Sequence, residues 1–219
     1  MVKKDPLHSF AQLPKDLETE LLNSLRVSTF AAGESIFMQG ASPQASYLVG
    51  SGRVKIVRVT PEGHESILCV RGPGDYFCPV PLLDGGAHLG TAVAMSAVTL
   101  FWIEKEEFKH LCKKSPELLG LVQGDCLAEV RHLLNRLEAF AFRNIRERLA
   151  IALLREEQRL GIRGSLPCVI RMTQQELAGL VGSSRESVSR ALKKMEREGI
   201  LKLGRGKITI CDKPRLKKI

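Results

Sequence analysis

Residues 173–199 carry the strongest local structural signals in this sequence. The run Thr173-Gln174-Gln175-Glu176 has the spacing of a capping box, in which a threonine hydroxyl and a glutamate carboxylate cap the first turn of a helix. Gly182 follows, and glycine readily takes the left-handed conformation that ends a helix. Ser183-Ser184 then precede a second helical stretch, which Gly199 terminates. The segment therefore predicts one short helix ending near 181, a tight turn, and a second helix over 187–198.

A hairpin and a basic charge accompany these two helices. Residues 201–203 and 207–210 favour β structure around Gly204-Arg205-Gly206, and two helices followed by a hairpin form a winged helix-turn-helix. Of the formal net charge of +9, residues 144–219 carry +10 and residues 1–143 carry −1. A compact basic unit of this kind predicts nucleic-acid binding, although the charge alone also fits a solubilising surface or a basic tail.

The second helix has one apolar and one polar face. Near its start, four polar side chains fall within an arc of about 140°. They are the predicted base contacts: Arg185, Glu186, Ser189 and Arg190. Arginine can donate two hydrogen bonds to guanine, and glutamate can accept one from cytosine. The alternative is a solvent-exposed helix with local ion pairs such as Glu186–Arg190. Hydroxyl, amide and basic side chains nearby are the predicted phosphate contacts: Thr173, Gln174, Ser183, Ser187, Lys193, Lys202, Arg205 and Lys207.

Residues 29–104 contain short β-favouring runs separated by glycine and proline. The predicted strands are 35–38, 46–49, 53–59, 66–70, 91–94 and 98–103. Short strands at this spacing indicate a small antiparallel barrel or jelly roll. Residues 15–25 are predicted to form a leading helix. The expected fold class is therefore α+β, with an antiparallel barrel at the N-terminal end and a winged helix-turn-helix at the C-terminal end.

Helical sequence follows Ser115-Pro116, a good N-cap and first-turn pair, and runs almost unbroken to about 157. A near-heptad apolar stripe marks its first part. We expect this stripe to pair two copies of the chain; the alternative is a wide-faced core helix within one monomer. The stripe consists of Leu119, Val122, Cys126, Val130, Leu133, Leu137 and Phe140. Residues 144–156 are predicted to form a further amphipathic helix.

The sequence disfavours several other classes of protein. Its six cysteines contain no CxxC pair, so the local spacing of a zinc ribbon or clustered iron–sulfur site is missing. Its five histidines are scattered, and no HExxH or phosphate-binding loop occurs, which disfavours a cupin-type or other enzyme. No apolar run approaches the roughly 20 residues of a membrane span, and no signal peptide is recognisable. We expect a cytoplasmic protein without membrane association.

Three stretches together resemble the CRP/FNR-type bacterial transcription regulators. They are Gly33-Glu34-Ser35-Ile36-Phe37-Met38-Gln39-Gly40, Gly72-Pro73-Gly74-Asp75-Tyr76-Phe77 and Ser184-Arg185-Glu186-Ser187-Val188-Ser189-Arg190. The resemblance implies a cyclic-nucleotide-binding-type barrel over 1–115, a dimerisation helix over 116–143 and a DNA-binding domain over 144–219. It also implies a homodimer on palindromic DNA with TGTGA-like or TTGAT-like half-sites, a small-molecule effector at the barrel, and RNA polymerase as a partner.

The effector is the part that the resemblance leaves open. In cAMP-binding members a Gly-Glu pair and a later arginine hold the ribose and phosphate, whereas this chain has Cys78-Pro79 and Gly90 there. We therefore expect an effector other than cAMP; a cAMP-responsive regulator and an effector-independent DNA-binding protein are the alternatives. Cys78 matches the axial thiolate position of a haem-containing relative, so haem with NO or CO, thiol redox chemistry and another small ligand stay open. The predicted effector residues are Cys78, Pro79, His88 and Thr91.

Overall fold

The chain divides into two units, 1–131 and 132–219. The structure, a computed structural model, describes residues 13–60, 65–77, 79–159 and 167–219. The three-part division at 115/116 and 143/144 stays a prediction, because the boundary between the two units falls within a helix. Among the described residues, no helix combines the length and the apolar character needed to cross a membrane.

The first unit is built on two four-stranded antiparallel sheets, ordered β1-β8-β3-β6 and β2-β7-β4-β5. Its elements are α1 (Lys15–Ser24), β1 (Arg26–Phe30), β2 (Ser35–Phe37), β3 (Ala45–Ser51), β4 (Val54–Val59), β5 (Glu65–Arg71), β6 (Tyr76–Phe77), α2 (Pro79–Asp84), β7 (Thr91–Ala94), β8 (Val98–Glu104) and α3 (Lys105–Lys114). The predicted antiparallel jelly roll is confirmed, with all six predicted strands and the leading helix. Strands β1 and β6 are absent from the prediction. The five residues of β1 are exposed or half-exposed, and β6 has only two residues, so neither strand shows a clear alternation of apolar and polar side chains.

The two faces of the first sheet belong to different apolar clusters, because neighbouring residues of a strand point to opposite sides. Val49 faces the interior of the jelly roll together with Phe77 and Leu100. Leu48, the residue before Val49, packs outside the sheet against Phe108 of α3 and other helical side chains. The helices therefore cover the outer face, and a separate apolar cluster occupies the interior.

A 27-residue helix, α4 (Pro116–Phe142), follows. Ser115 caps it, since its Oγ accepts a hydrogen bond from the backbone N–H of Leu118 at 3.2 Å. The helix ends before Asn144, whose side chain caps α5 (Ile145–Arg159) by accepting from the N–H groups of Arg146 and Glu147 at 2.9 and 3.1 Å. The further helix predicted over 144–156 is therefore present as α5, and the helical sequence to about 157 consists of two helices.

The structure divides the predicted dimer stripe into two parts. Val122 is 2% exposed and lies in the core of its own unit, with Leu119 packed against the same cluster. Because Val122 is buried within one unit, its assignment to a dimer surface needs correction, whereas the assignment of the half-buried Leu119 stays a prediction. Further along, the apolar side chains of the helix lie exposed: Leu127, Val130, Leu133, Leu134, Leu137 and Phe140. Cys126 lies at the transition and is half-buried.

The second unit combines helices with a three-stranded antiparallel sheet, ordered β10-β11-β9. Besides the end of α4 and α5, its elements are β9 (Cys168–Ile170), α6 (Gln174–Val181), α7 (Arg185–Arg197), β10 (Leu201–Gly204), β11 (Lys207–Ile210) and α8 (Lys213–Lys217). The predicted helix-turn-helix and hairpin are confirmed. Helix α7 begins two residues before the predicted start, because Ser184 is its N-cap, and α8 was not predicted.

Candidate nucleic-acid interface and effector domain

The first helix of the helix-turn-helix begins with the capping box that the sequence predicts. Thr173 Oγ1 accepts from the backbone N–H of Glu176 at 3.1 Å, and Glu176 Oε2 accepts from the N–H of Thr173 at 2.7 Å. The Thr173 hydroxyl also donates to that carboxylate at 2.9 Å. This hydroxyl therefore caps the first turn of the helix, and a phosphate contact from it would compete with these capping bonds.

Gly182 forms the turn between the two helices. Its φ is +58°, in the left-handed region, and Ser183 donates its N–H back to Ala178 O at 3.0 Å. Ser184 Oγ then accepts from the N–H of Ser187 at 3.2 Å and opens α7. The Ser187 hydroxyl lies 3.1 Å from Ser184 Oγ. Both serines therefore contribute to the start of α7. Ser184 is its N-cap, a position at which serine is favoured.

Helix α7 separates its apolar and polar faces completely. Val188, Leu192 and Met195 are fully buried. On the other side, Arg185, Glu186 and Arg190 are exposed and Ser189 is half-exposed. All four predicted base-contact residues therefore lie away from the core near the N-terminal end of one helix, as a helix entering the major groove requires.

The charge state of Glu186 fits this arrangement. Hydrogen bonds from its own backbone N–H and from the Ser184 hydroxyl, together with the nearby positive charges of Arg185 and Arg190, lower the pKa of Glu186. The carboxylate is therefore ionised at neutral pH, which makes it an acceptor only. In a groove, it can accept a hydrogen bond from the amino group of cytosine.

The hairpin carries three exposed basic side chains, Lys202, Arg205 and Lys207. Gly206 turns it with a φ of +66°. The hairpin is attached to α7 by Glu196, whose Oε1 accepts from the N–H of Leu203 at 2.7 Å. Lys193 of α7 is exposed as well. These four residues, unlike Thr173, make no cap that a phosphate contact would break.

Among the predicted effector residues, His88 is buried inside the jelly roll. Its ring stacks on Phe37 with centroids 3.8 Å apart, and its backbone pairs with Gly40 and Ala41. Burial lowers the pKa of His88, so its imidazole is neutral near pH 7. Thr91 Oγ1 accepts from the N–H of Gln39 at 3.0 Å. Pro79 is the first residue of α2, and Cys78 lies outside the described residues.

Gly90 has no room for a side chain. A Cβ on this buried glycine would lie 2.6 Å from the carbonyl oxygen of Val57 and 3.1 Å from the Ile56 side chain. A backbone oxygen cannot swing away as a side chain can. An arginine therefore does not fit at position 90 without moving β4.

A buried ion pair that the sequence did not reveal links β5 to α4. Arg71 Nη2 donates to Glu129 Oε2 at 2.9 Å, and both side chains are largely buried. Burial opposes the charge on Arg71, but the nearby Cys69, Glu129 and Asp75 outweigh it and raise the pKa of Arg71. The Arg71 Nε–H donates to no acceptor in the described part of the chain. The two residues are 58 positions apart in sequence, which no local pattern signals.

The described residues contain no cluster of metal-ligating side chains. Among them, no group of three or more His, Cys, Asp and Glu side chains could hold a metal ion. His88, the imidazole considered as an axial ligand, is 3% exposed and covered by Phe37 on one ring face. An imidazole binds iron through a nitrogen in the plane of its ring, so this stack does not test ligation, and Cys78, the predicted thiolate, lies outside the described residues. Haem therefore stays a prediction from the sequence.

Comparisons with known proteins agree with both units. Residues 27–115 match the cyclic nucleotide-binding domain, and residues 147–219 match the Crp-like helix-turn-helix domain. The chain is 32% identical to the cyclic AMP receptor protein of Thermus thermophilus over 219 residues, 100% of this chain and 98% of that protein. It is 30% identical to a CRP-like cAMP-activated global transcriptional regulator of Mycobacterium tuberculosis over 90% of this chain and 88% of that protein.

The solved structures give the same fold. The structure of FixK2 from Bradyrhizobium japonicum superposes with a TM-score of 0.80 at 22% identity and covers 89% of this chain and 96% of that one. The jelly roll, the long helix, the winged helix-turn-helix and the full-length likeness lead to one assignment. The chain belongs to the CRP/FNR family of transcription regulators.

Proposed function

We propose that this regulator binds palindromic DNA as a homodimer and places α7 in the major groove of each half-site. The observation that carries the proposal is the exposed row on α7, Arg185, Glu186 and Arg190, opposite a fully buried apolar face. Arg185 and Arg190 have the chemistry to read guanine, and Glu186 to read cytosine. The half-sites would be TGTGA-like or TTGAT-like, with centres one turn, about 34 Å, apart.

Phosphate contacts would come from the residues around this row. Lys193, Lys202, Arg205 and Lys207 carry exposed charges in a unit that holds the whole basic excess. Gln174 and Ser183 would add neutral contacts at the two helix starts. A phosphate contact from Thr173 would compete with its capping bonds, whereas Ser187 would offer a hydroxyl that caps no helix. Such contacts position the protein and make affinity depend on salt, without reading sequence.

Dimerisation would use the exposed half of α4. Leu127, Leu134 and Leu137 are 62%, 59% and 65% exposed, an unusual state for leucines arranged along one helix. A second copy of the same helix would bury them by knobs-into-holes packing. RNA polymerase would be a further partner, a proposal that membership of a family of transcription regulators supports. A regulator of this kind acts on the chromosome, in the cytoplasm of a bacterial cell.

The effector would be a small molecule other than cAMP, bound near residues 69–92. Gly90 supports this, because the backbone of Val57 leaves no space for an arginine that would face a phosphate. Two relatives are named for cAMP, which keeps a cyclic nucleotide as the alternative. We also propose that Arg71 and Glu129 carry the effector signal to α4, since they join the end of β5 to the helix.

Fluorescence anisotropy with labelled duplexes tests these proposals. The full chain is titrated with a palindrome of two TGTGA-type half-sites, one of two TTGAT-type half-sites, and a scrambled duplex of equal composition. We expect tighter binding to one palindrome than to the scrambled duplex. Adding cAMP should leave that affinity unchanged; a tenfold gain with cAMP would establish the alternative. Equal affinity for all three duplexes would contradict sequence-specific binding.

A further inference from the structure

A cavity of about 650 Å³ opens on the inner face of the first sheet, at the end where β1, β3 and β8 meet. Its size lies within the usual range of small-molecule sites. Three aromatic side chains line it: Phe30 from β1, Tyr47 from β3 and Trp102 from β8.

The two larger rings are held in place by neighbours. Trp102 Nε1 donates to Ser28 Oγ at 2.9 Å, which orients the indole. Tyr47 stacks on Phe77 with centroids 5.3 Å apart and lies 5.7 Å from Phe37. The rings of Phe37 and Phe77 pack in the apolar cluster inside the jelly roll. The aromatic wall of the cavity is therefore preorganised, and a ligand at its mouth need not displace the core.

Two residues of the cavity lining, Trp102 and Glu104, already bind one organic cation of the chain. The Arg26 guanidinium carbon lies 5.1 Å from the centroid of the Trp102 ring, and Arg26 Nη1 lies 2.7 Å from Glu104 Oε1. An aromatic face combined with a carboxylate is the chemistry that recognises alkylammonium and guanidinium groups. Arg26 thus provides an internal example of what the site accepts.

Two further charges line the cavity, the carboxylate of Glu106 and the ammonium group of Lys105. Neither side chain forms an ion pair within the described ranges of the chain. A ligand that complements this lining carries a cationic group for the rings and Glu106 and an anionic group for Lys105. A methylated ammonium suits aromatic rings best, because it is large and weakly hydrated.

We propose that the mouth of the jelly roll, lined by Tyr47, Trp102, Lys105 and Glu106, binds a small zwitterion that joins a methylated ammonium group to a carboxylate. The site needs neither DNA nor the effector of the segment 69–92. Its occupancy and the proposed DNA-binding function can therefore be tested separately.

Trp102 is the only tryptophan of the chain, so tryptophan fluorescence reports on the cavity directly. The full chain is titrated with three probes of similar size. Glycine betaine carries both charges, choline lacks the carboxylate, and 3,3-dimethylbutanoate replaces the ammonium nitrogen by carbon. We expect a saturable change with glycine betaine and a dissociation constant about tenfold lower than for either other probe. Calorimetry of the same mixtures separates binding from collisional quenching.

Two substitutions test the charges, and a third is the control. Glu106→Gln should weaken glycine betaine binding about tenfold, and Lys105→Glu should make choline the tighter ligand. Glu107→Gln removes the adjacent carboxylate, which does not line the cavity, and should change nothing. Melting curves verify that each variant folds. The proposal is wrong if glycine betaine gives no saturable signal, if 3,3-dimethylbutanoate binds equally well, or if Glu106→Gln behaves like Glu107→Gln.

Discussion

The ring of Phe140 lies against Gly182 so closely that a methyl group on this glycine would come within 2.9 Å of Phe140 Cε1. Phe140 belongs to the end of α4, and Gly182 is the turn of the helix-turn-helix. Arg136 supports the contact: its Nη2 donates to Leu180 O at 2.9 Å, and its guanidinium lies 5.6 Å from the Phe140 ring. Arg148 lies 5.4 Å from the same ring. The end of α4 therefore contacts the turn that positions α7.

Gly182→Ala should destabilise the second unit for two reasons. Alanine is strained at a φ of +58°, and its methyl group would collide with Phe140. Together these effects should lower the free energy of unfolding by about 2–3 kcal/mol. Gly199→Ala is the matched control, because Gly199 has a φ of +74° but open space around its Cβ position. It should cost about 1 kcal/mol. Urea unfolding followed by circular dichroism measures both, and equal losses would exclude a contribution from Phe140.

Base and phosphate contacts should differ in their response to substitution. Arg185→Ala or Arg190→Ala should weaken specific binding by about 1–3 kcal/mol and leave binding to scrambled DNA almost unchanged. Lys202→Ala should weaken binding to every duplex and reduce the slope of log affinity against log salt by about one. Competition titrations at several salt concentrations measure both quantities. An equal loss on specific and scrambled DNA for Arg185→Ala would contradict its assignment as a base contact.

Removing one partner of the Arg71–Glu129 ion pair should destabilise the first unit. Arg71→Met leaves the largely buried carboxylate of Glu129 without its 2.9 Å partner and should cost about 2 kcal/mol. The double variant with Glu129→Leu should recover part of this loss. Lys114→Met breaks an exposed pair with Glu20 and should cost less than about 0.5 kcal/mol. Denaturant unfolding followed by Trp102 fluorescence compares the four proteins; similar losses from Arg71→Met and Lys114→Met would contradict the prediction.

The buried His88 should make the first unit less stable in mild acid. Burial lowers the pKa of His88 in the folded chain below its value of about 6.5 in the unfolded chain. The unfolded chain therefore binds the proton more readily, and stability falls as the pH decreases below about 6.5. His88→Phe keeps a ring on Phe37 and should flatten the melting temperature between pH 7 and pH 5. An unchanged pH profile in this variant would assign the acid sensitivity to other groups.

The exposed leucines of α4 should hold the dimer together. Leu134→Glu places a charge within the apolar stripe and should convert the dimer to monomers at micromolar concentration, with loss of DNA binding. Ile151→Glu is the control, because Ile151 is also an exposed aliphatic residue but lies on α5. Sedimentation velocity and light scattering measure the molar mass. A dimeric Leu134→Glu protein would require another dimer surface.

The features that depend on local chemistry can be predicted from the sequence alone. The capping box Thr173–Glu176, the left-handed Gly182 and the spacing of Val188, Leu192 and Met195 each lie within one helix or turn, so the helix-turn-helix was readable without any long-range contact. The same holds for the strands, since alternation and turn residues are local. One boundary differs from the prediction: α7 begins at Arg185, two residues before the predicted start. The start of α5 agrees with the prediction to within one residue, Ile145 against 144.

Contacts between residues that are distant in sequence are visible only in the tertiary structure. The pairing of Arg71 with Glu129, the stacking of His88 on Phe37 and the lack of space at Gly90 join positions 58, 51 and 33 residues apart or more. The division of the α4 stripe into a buried Val122 and an exposed Leu134 has the same origin, because burial depends on what packs against a helix. A periodic pattern specifies a face, and only the packed neighbours specify which part of that face is left for a partner.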